Sequence, residues 1–170
     1  MNTGSENNKV MEFTVPSNGE LSDVLHNVRI KNAGTLSYSD YTLKLVMDKD
    51  NDGAFEPTTD DANDSWTFTY NTTNNWWEYT GDLNITIPSG GQKFFVALDV
   101  SSSATSGTFQ GKLESDATNP PFVLSSGIGN IESTVTNSGV QSVVQMSVGD
   151  IRITEIMWGG NEYIELYNTT

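Results

Sequence analysis

The sequence predicts an all-β chain, an antiparallel β-sandwich with a C-terminal β-hairpin extension. Three observations carry that expectation. Apolar and polar residues alternate along short segments, as in strands with one buried face. Clusters of Gly, Asn, Ser and Pro interrupt these segments at regular intervals, as turns between strands do. No stretch of useful length repeats its apolar residues at helical spacing. The 170 residues suffice for one sandwich with an appendage.

Residues 1–9 are polar and read as a disordered lead-in. From residue 10 to about 115 the chain reads as the sandwich. Met11, Phe13 and Val15 alternate up to Pro16, and Ser17-Asn18-Gly19 turns the chain. His26, Val28 and Ile30 form one face of a second strand, with Asn27, Arg29 and Lys31 opposite. Tyr41, Leu43, Leu45 and Met47 face one way in a third. Trp66, Phe68 and Tyr70 alternate with Ser65, Thr67 and Thr69 in a fourth. After a polar turn come Trp76-Trp77-Glu78-Tyr79, and then Leu83, Ile85 and Ile87, stopped by Pro88-Ser89-Gly90-Gly91. Phe94 to Val100 is almost continuously apolar, which fits a central strand buried on both faces. Phe109 and Leu113 mark one more strand. Over 116–149 the pattern weakens, and Asn119-Pro120-Pro121 breaks it. There Ile128 to Val135 and Val143 to Val148 read as strands that complete the sandwich or form a linking extension. Residues 150–170 read as a hairpin turning at Gly159-Gly160-Asn161.

Between the third and fourth strands lies Asp48-Lys49-Asp50-Asn51-Asp52-Gly53-Ala54-Phe55-Glu56. A hard cation such as calcium takes roughly six to eight oxygens, and aspartates at alternate positions converge on one point when a glycine turns the chain after the third. Gly53 stands at that turn. The Ala54 carbonyl and Glu56 continue the ligand pattern. The EF-hand spacing would put a glutamate where Thr59 stands, and Asp60 or Asp61 can supply that ligand in a loop of different shape. From Asp48 to Asp64 seven acids face one Lys, a local charge of −6. Crowded carboxylates repel unless a cation sits among them. The loop is therefore expected to bind Ca2+ through Asp48, Asp50, Asp52, Ala54, Glu56 and Asp60 or Asp61, tying two strand ends together. The plain alternative is a solvated acidic turn.

The net charge of −14 fits cation binding. It disfavours nucleic acid and anionic membranes as partners. No apolar run approaches a membrane span. Without cysteine there is neither a disulfide framework nor thiolate chemistry. Abundant Asn, Thr, Ser, Gly and Asp with scarce Lys and Arg point to a secreted or cell-surface protein. Residues 1–9 lack the apolar core of a signal peptide, so Met1 of a secreted protein is expected to begin a processed or recombinant form.

Catalysis is not expected. His26 is the lone histidine, and a lone strand histidine is usually a packed or half-exposed residue. No G-x-S-x-G, H-E-x-x-H or phosphate-loop motif occurs. The rival to a structural role is carbohydrate binding through Trp76, Trp77 and Tyr79. Adjacent strand residues point to opposite faces, so at least one of the two tryptophans is a candidate for exposure. Trp66, in step with Phe68 and Tyr70, fits the core. A further alternative is self-assembly, in which the strand at 10–15 or the hairpin at 150–168 pairs with a neighbouring subunit.

Two resemblances add to this reading. Residues 10–115 resemble the immunoglobulin-like β-sandwich modules of large secreted and surface-layer-associated bacterial proteins. The features are Val28 to Gly34, Leu43 to Asp48 entering the acidic loop, and Ile85-Thr86-Ile87-Pro88 before Phe94 to Val100. That likeness implies a calcium-stiffened spacer or adhesive unit, with other surface-protein domains or glycans as partners. Ile151-Arg152-Ile153-Thr154-Glu155-Ile156 and Tyr163-Ile164-Glu165-Leu166-Tyr167-Asn168 resemble the opening strands of a lamin-tail domain, over about an eighth of the chain. This second likeness implies a fragment of a longer surface protein.

Overall fold

The computed structural model describes residues 1–17, 23–57, 59–60, 65–127, 129–145, 151–157 and 163–168, the last two segments by their backbone alone. These residues form an all-β, sandwich-like fold. In chain order the strands are β1 (Asn8–Val15), β2 (Asp23–Val28), β3 (Lys31–Asn32), β4 (Tyr41–Met47), β5 (Ser65–Thr67), β6 (Thr69–Asn71), β7 (Trp76–Glu78) and β8 (Ile85–Ile87). They continue as β9 (Gln92–Val100), β10 (Gly107–Phe109), β11 (Gly111–Leu113), β12 (Phe122–Leu124), β13 (Val135–Thr136), β14 (Gln141–Val143), β15 (Ile151–Met157) and β16 (Tyr163–Asn168). A single 3-10 turn, Tyr38–Asp40, precedes β4.

One layer is the antiparallel sheet β1-β9-β4-β5. Its inner strand β9 is continuously apolar from Phe94 to Leu98 because both faces are covered there. Phe94, Val96, Leu98 and Val100 enter the main core. Phe95 and Ala97 face the other way, with Val46, beneath Phe55. The expected two-sided burial of this strand is what the structure has.

The facing layer is built on residues 23–32. β2 pairs with β8 on one side and β12 on the other. Farther along, Ile30 bridges Trp77, and β3 pairs with β11, which carries β13. Leu25, Val28 and Ile30 are fully buried against Tyr41, Leu43, Leu45 and the inner side chains of β9. Trp77 Nε1 donates to the Tyr41 hydroxyl at 3.0 Å, a buried hydrogen bond between the layers. The chain crosses from one layer to the other at Phe68, between β5 and β6, and Phe68 is buried there.

Several expectations need correction. Residues 1–9 are not a loose lead-in. Asn2 bridges Val144, the Gly4 amide donates to Ser101 O, and β1 already begins at Asn8. Polar side chains misled there because backbone pairing, which composition does not report, holds the segment. In β2 the pairing slips between Val123 and Leu124 opposite Asn27 and Leu25. That bulge turns Leu25 inward and leaves His26 half-exposed, so His26 does not share a face with Val28 and Ile30. β1 has a similar slip at Val10, which lets Val10 and Met11 both be buried. Over 116–149 the strands β12, β13 and β14 pair with β2, β11 and β10, so this segment completes the sandwich. Residues 129–134 form no strand. Their Asn130 and Thr134 side chains accept the Asp116 and Ser115 amides, in place of a ladder. The Asn18-Gly19 turn, Ile128, residues 146–148 and the Gly159-Gly160-Asn161 turn lie outside the described residues. β15 and β16 do pair antiparallel, Ile151 opposite Asn168 through Met157 opposite Tyr163, as expected of the hairpin.

Candidate metal centre

The acidic loop leaves β4 and returns through β5, which pairs back on it, Val46 opposite Ser65. Asp48 prolongs the ladder beyond Met47. Its amide donates to Lys93 O at 3.1 Å, and its carbonyl accepts Gln92 Nε2 at 2.7 Å. A strand position at a sheet end thus carries a carboxylate into the interior, where Asp48 is 2% exposed.

The loop then folds on its own side chains. Asn51 and Gly53 adopt positive φ, 59° and 83°. The Gly53 value is one that side-chain-bearing residues rarely adopt, which is the sharp turn the spacing predicts. Asp48 Oδ2 accepts the Gly53 amide at 3.0 Å and Asp52 Oδ1 the Ala54 amide at 2.7 Å. Asp60 accepts the Glu56 amide at 2.9 Å and the Lys49 amide at 3.3 Å, and it is 1% exposed. Short aspartate side chains are suited to such capture of nearby amides.

Two sets of carboxylates converge. Asp48, Asp50 and Asp60 each present an oxygen within 4.8 Å of the others, and Asp50, Asp52 and Glu56 do the same. Asp50 belongs to both. The predicted residues are therefore not one ring. The first set is seated in the fold and contains the two buried acids, and the second is exposed. Asp60 stands beside Asp48 while Thr59 is exposed, and Asp61 lies outside the described residues. Ala54 is exposed, with its amide turned to Asp52.

One atom separates this loop from a solvated acidic turn. Asp48 Oδ1 is buried and has no hydrogen-bond partner among the described residues. A buried polar atom left unpaired costs roughly 1–3 kcal/mol, more when it is charged. The Asp48 carboxylate has an oxygen within 4.8 Å of oxygens of Asp50 and Asp60. An all-oxygen, carboxylate-rich donor set with one unpaired oxygen is of the kind that suits a hard divalent cation.

Sequence reasoning missed the supports of the loop. Phe55 packs edge-on against Phe95 at 5.5 Å, pinning the middle of the loop to the outer face of β9. Lys93 Nζ donates to Gly53 O at 3.1 Å while pairing with Glu12 at 3.4 Å. Phe55 was visible as the lone large apolar residue among the acids. The role of Lys93 depends on β9 lying beside β4 and had no local signal.

The aromatic alternative loses its footing. Trp76 and Trp77 are 6% and 4% exposed, so neither indole is open to a sugar ring. Trp76 lies beneath Arg29, whose guanidinium is 4.9 Å from the ring centroid. Trp77 is held by Tyr41. Both faces of this short strand are covered, one by core and one by long basic side chains. Tyr79 is half-buried and has its backbone fastened to the Asn27 side chain.

No protein-family model, curated protein or solved structure matches the chain. No helix among the described residues is long and apolar enough to cross a membrane.

Proposed function

We propose that this chain is a calcium-binding β-sandwich module, of the immunoglobulin-like kind, with a structural or adhesive role in a secreted or surface protein. The single observation that supports this reading is the unpartnered Oδ1 of buried Asp48, in a carboxylate that converges with those of Asp50 and Asp60. In the proposal Asp48, Asp50 and Asp60 hold the ion. Asp52, Glu56, the Ala54 carbonyl and Asp61 complete its shell or bind it more loosely from the exposed side. The ion's work is electrostatic: it cancels repulsion among carboxylates that the fold has brought together and fastens the ends of β4 and β5.

Extracellular calcium modules bind at roughly 0.1–1 mM. In millimolar calcium such a site stabilises the fold by only about 1–2 kcal/mol, which suits a clamp better than a sensor. The −14 charge and the scarcity of basic residues favour a calcium-rich exterior. The hairpin β15–β16 is read as the start of a lamin-tail-like domain that continues in a longer protein.

Calorimetric titration with calcium tests the reading. Heat of binding with a dissociation constant near or below about 1 mM is expected. EDTA should lower the melting temperature and calcium restore it. Asp50→Ala, which removes the residue common to both carboxylate sets, should make the melting curve indifferent to either. Wild-type curves that coincide with and without calcium would sink the proposal.

A further inference from the structure

We propose that Ser125 is a nucleophile, activated by His26 and Asp82, that accepts acyl groups from activated esters. This site goes beyond the calcium reading. It shares no residue with the acidic loop and belongs to the other layer of the sandwich.

The geometry is a chain of hydrogen bonds in a working order. Asp82 Oδ1 lies 2.8 Å from His26 Nδ1, and His26 Nε2 lies 2.8 Å from Ser125 Oγ. One imidazole tautomer serves both contacts. Nδ1–H donates to the carboxylate, and Nε2 accepts the serine O–H. A hydroxyl so placed can lose its proton as its oxygen attacks, while the carboxylate stabilises the imidazolium that forms.

Each member is held by the backbone. His26 is the bulged residue of β2, and the bulge aims its ring away from the core. The Leu83 amide donates to His26 O at 3.0 Å, which docks the Asp82 turn on the same strand. Asp82 Oδ1 also accepts the Asn84 amide at 3.0 Å. Ser125 follows β12, and its amide donates to Val24 O at 2.9 Å. The turn closes with the Gly127 amide on Leu124 O at 2.9 Å, Gly127 taking φ 75°. Asp23, buried in β2, grips this turn through the Ser126 amide and hydroxyl. Three separate segments therefore meet at fixed positions, which local sequence does not require.

A cavity of about 110 Å³ adjoins the turn. Leu124 and Ser126, the chain neighbours of Ser125, line it with Phe122, Ile131, Pro16, Ser17, Asn130 and the buried Asp23, while Ser125 itself does not. The amides of Ser125, Ser126 and Gly127 are all engaged, so the turn offers none of them to a developing oxyanion. Loss of one such donor costs about 10²–10³ in rate, so slow turnover of esters with good leaving groups is the chemistry that fits.

In the first step Ser125 Oγ bonds to the ester carbonyl carbon and its proton moves to His26 Nε2. The carbon–oxygen bond to the alcohol then breaks, and that proton leaves with the alcohol. Water, deprotonated by the same nitrogen, attacks the acyl-serine; the bond from Oγ to the acyl carbon breaks, the proton on His26 Nε2 returns to Oγ, and the acid is released. No oxidant or metal enters the balance.

The test is covalent labelling of the full chain, in calcium, with a short-alkyl fluorophosphonate, whose fluoride is displaced by an activated serine. Peptide mapping should find one adduct per chain, on Ser125, with the other exposed serines as internal references. His26→Gln should slow labelling about 10²-fold or more. Ser125→Ala should remove the adduct and, with p-nitrophenyl butyrate, the burst of one equivalent of p-nitrophenol. Melting curves of both variants check the fold. If His26→Gln does not fold, Asp82→Asn, at an exposed position, takes its place and should slow labelling likewise. Absence of an adduct on Ser125, equal labelling across surface serines, or an unchanged rate in a folded His26 or Asp82 variant would overturn the proposal.

Discussion

Asp23 and Tyr41 are the side chains whose ionisation should report on folding. Asp23 is buried and accepts the Ser126 hydroxyl, the Ser126 amide and the Val24 amide. These bonds, the hydroxyl's first, hold its carboxyl below the ordinary value of 3.8. A depressed carboxyl gives stability that is present above that value and lost as pH falls through the lower folded one. The melting temperature should therefore drop on acidification below about pH 4, and Asp23→Asn should flatten part of that slope. Glu12 and Glu114, lowered first by bonds from Lys9 and Lys31, act in the same direction, as do the lowered Asp40, Asp82 and Asp116. Tyr41 behaves oppositely. Burial pushes its phenol from 10.0 up to about 12, against a smaller lowering by the Trp77 N–H. The neutral form is favoured in the fold, so stability is complete below pH 10 and is lost as pH rises from 10 towards 12. The loss is about 2–3 kcal/mol by linkage. Tyr41→Phe should lower stability at neutral pH by about 1–3 kcal/mol, because the Trp77 N–H loses its acceptor. The same variant should lack the wild-type alkaline decline between pH 10 and 12, as denaturant melts at each pH will tell.

The acidic loop and β9 act together. Phe55 contributes no ligand, yet it clamps the loop onto Phe95. Phe55→Ala should weaken calcium binding about tenfold, the scale seen when supports around metal ligands are removed. The main core should persist, since Phe55 packs on the small outer cluster. Titration calorimetry beside a calcium-free melt separates the two effects. Affinity equal to wild type would mean that the aspartates order themselves. Here the sequence was informative about what lies in the loop and uninformative about what holds it. Asp48, Asp50 and Gly53 announce a sharp acidic turn by their spacing. That Asp60 stands beside Asp48, while Asp52 sides with Glu56, depends on where the chain closes on itself, and spacing alone does not determine it.

The whole molecule carries a charge of −14, so self-repulsion opposes compaction everywhere on its surface. In chelator, raising NaCl to about 0.1 M, where the screening length is about 10 Å, should raise the melting temperature. Millimolar calcium should raise it further at matched ionic strength, because an ion held at Asp48 acts where mobile salt does not reach. Equal gains from both salts would reduce calcium to general screening. The sequence by itself determined the fold class, the apolar alternation of most strands before residue 115, the central position of Phe94 to Val100 and the loop that gathers the acids. All of these rest on periodicity or spacing between neighbours in the chain. Tertiary structure decided which face His26 takes, that both Trp76 and Trp77 are covered, that residues 1–9 pair with the fold, and that Asp82, His26 and Ser125 meet. A single bulged residue in β2 exchanges the inner and outer faces of the strand on either side of it, and pairing partners 56 and 99 positions from His26 leave no mark in its local pattern.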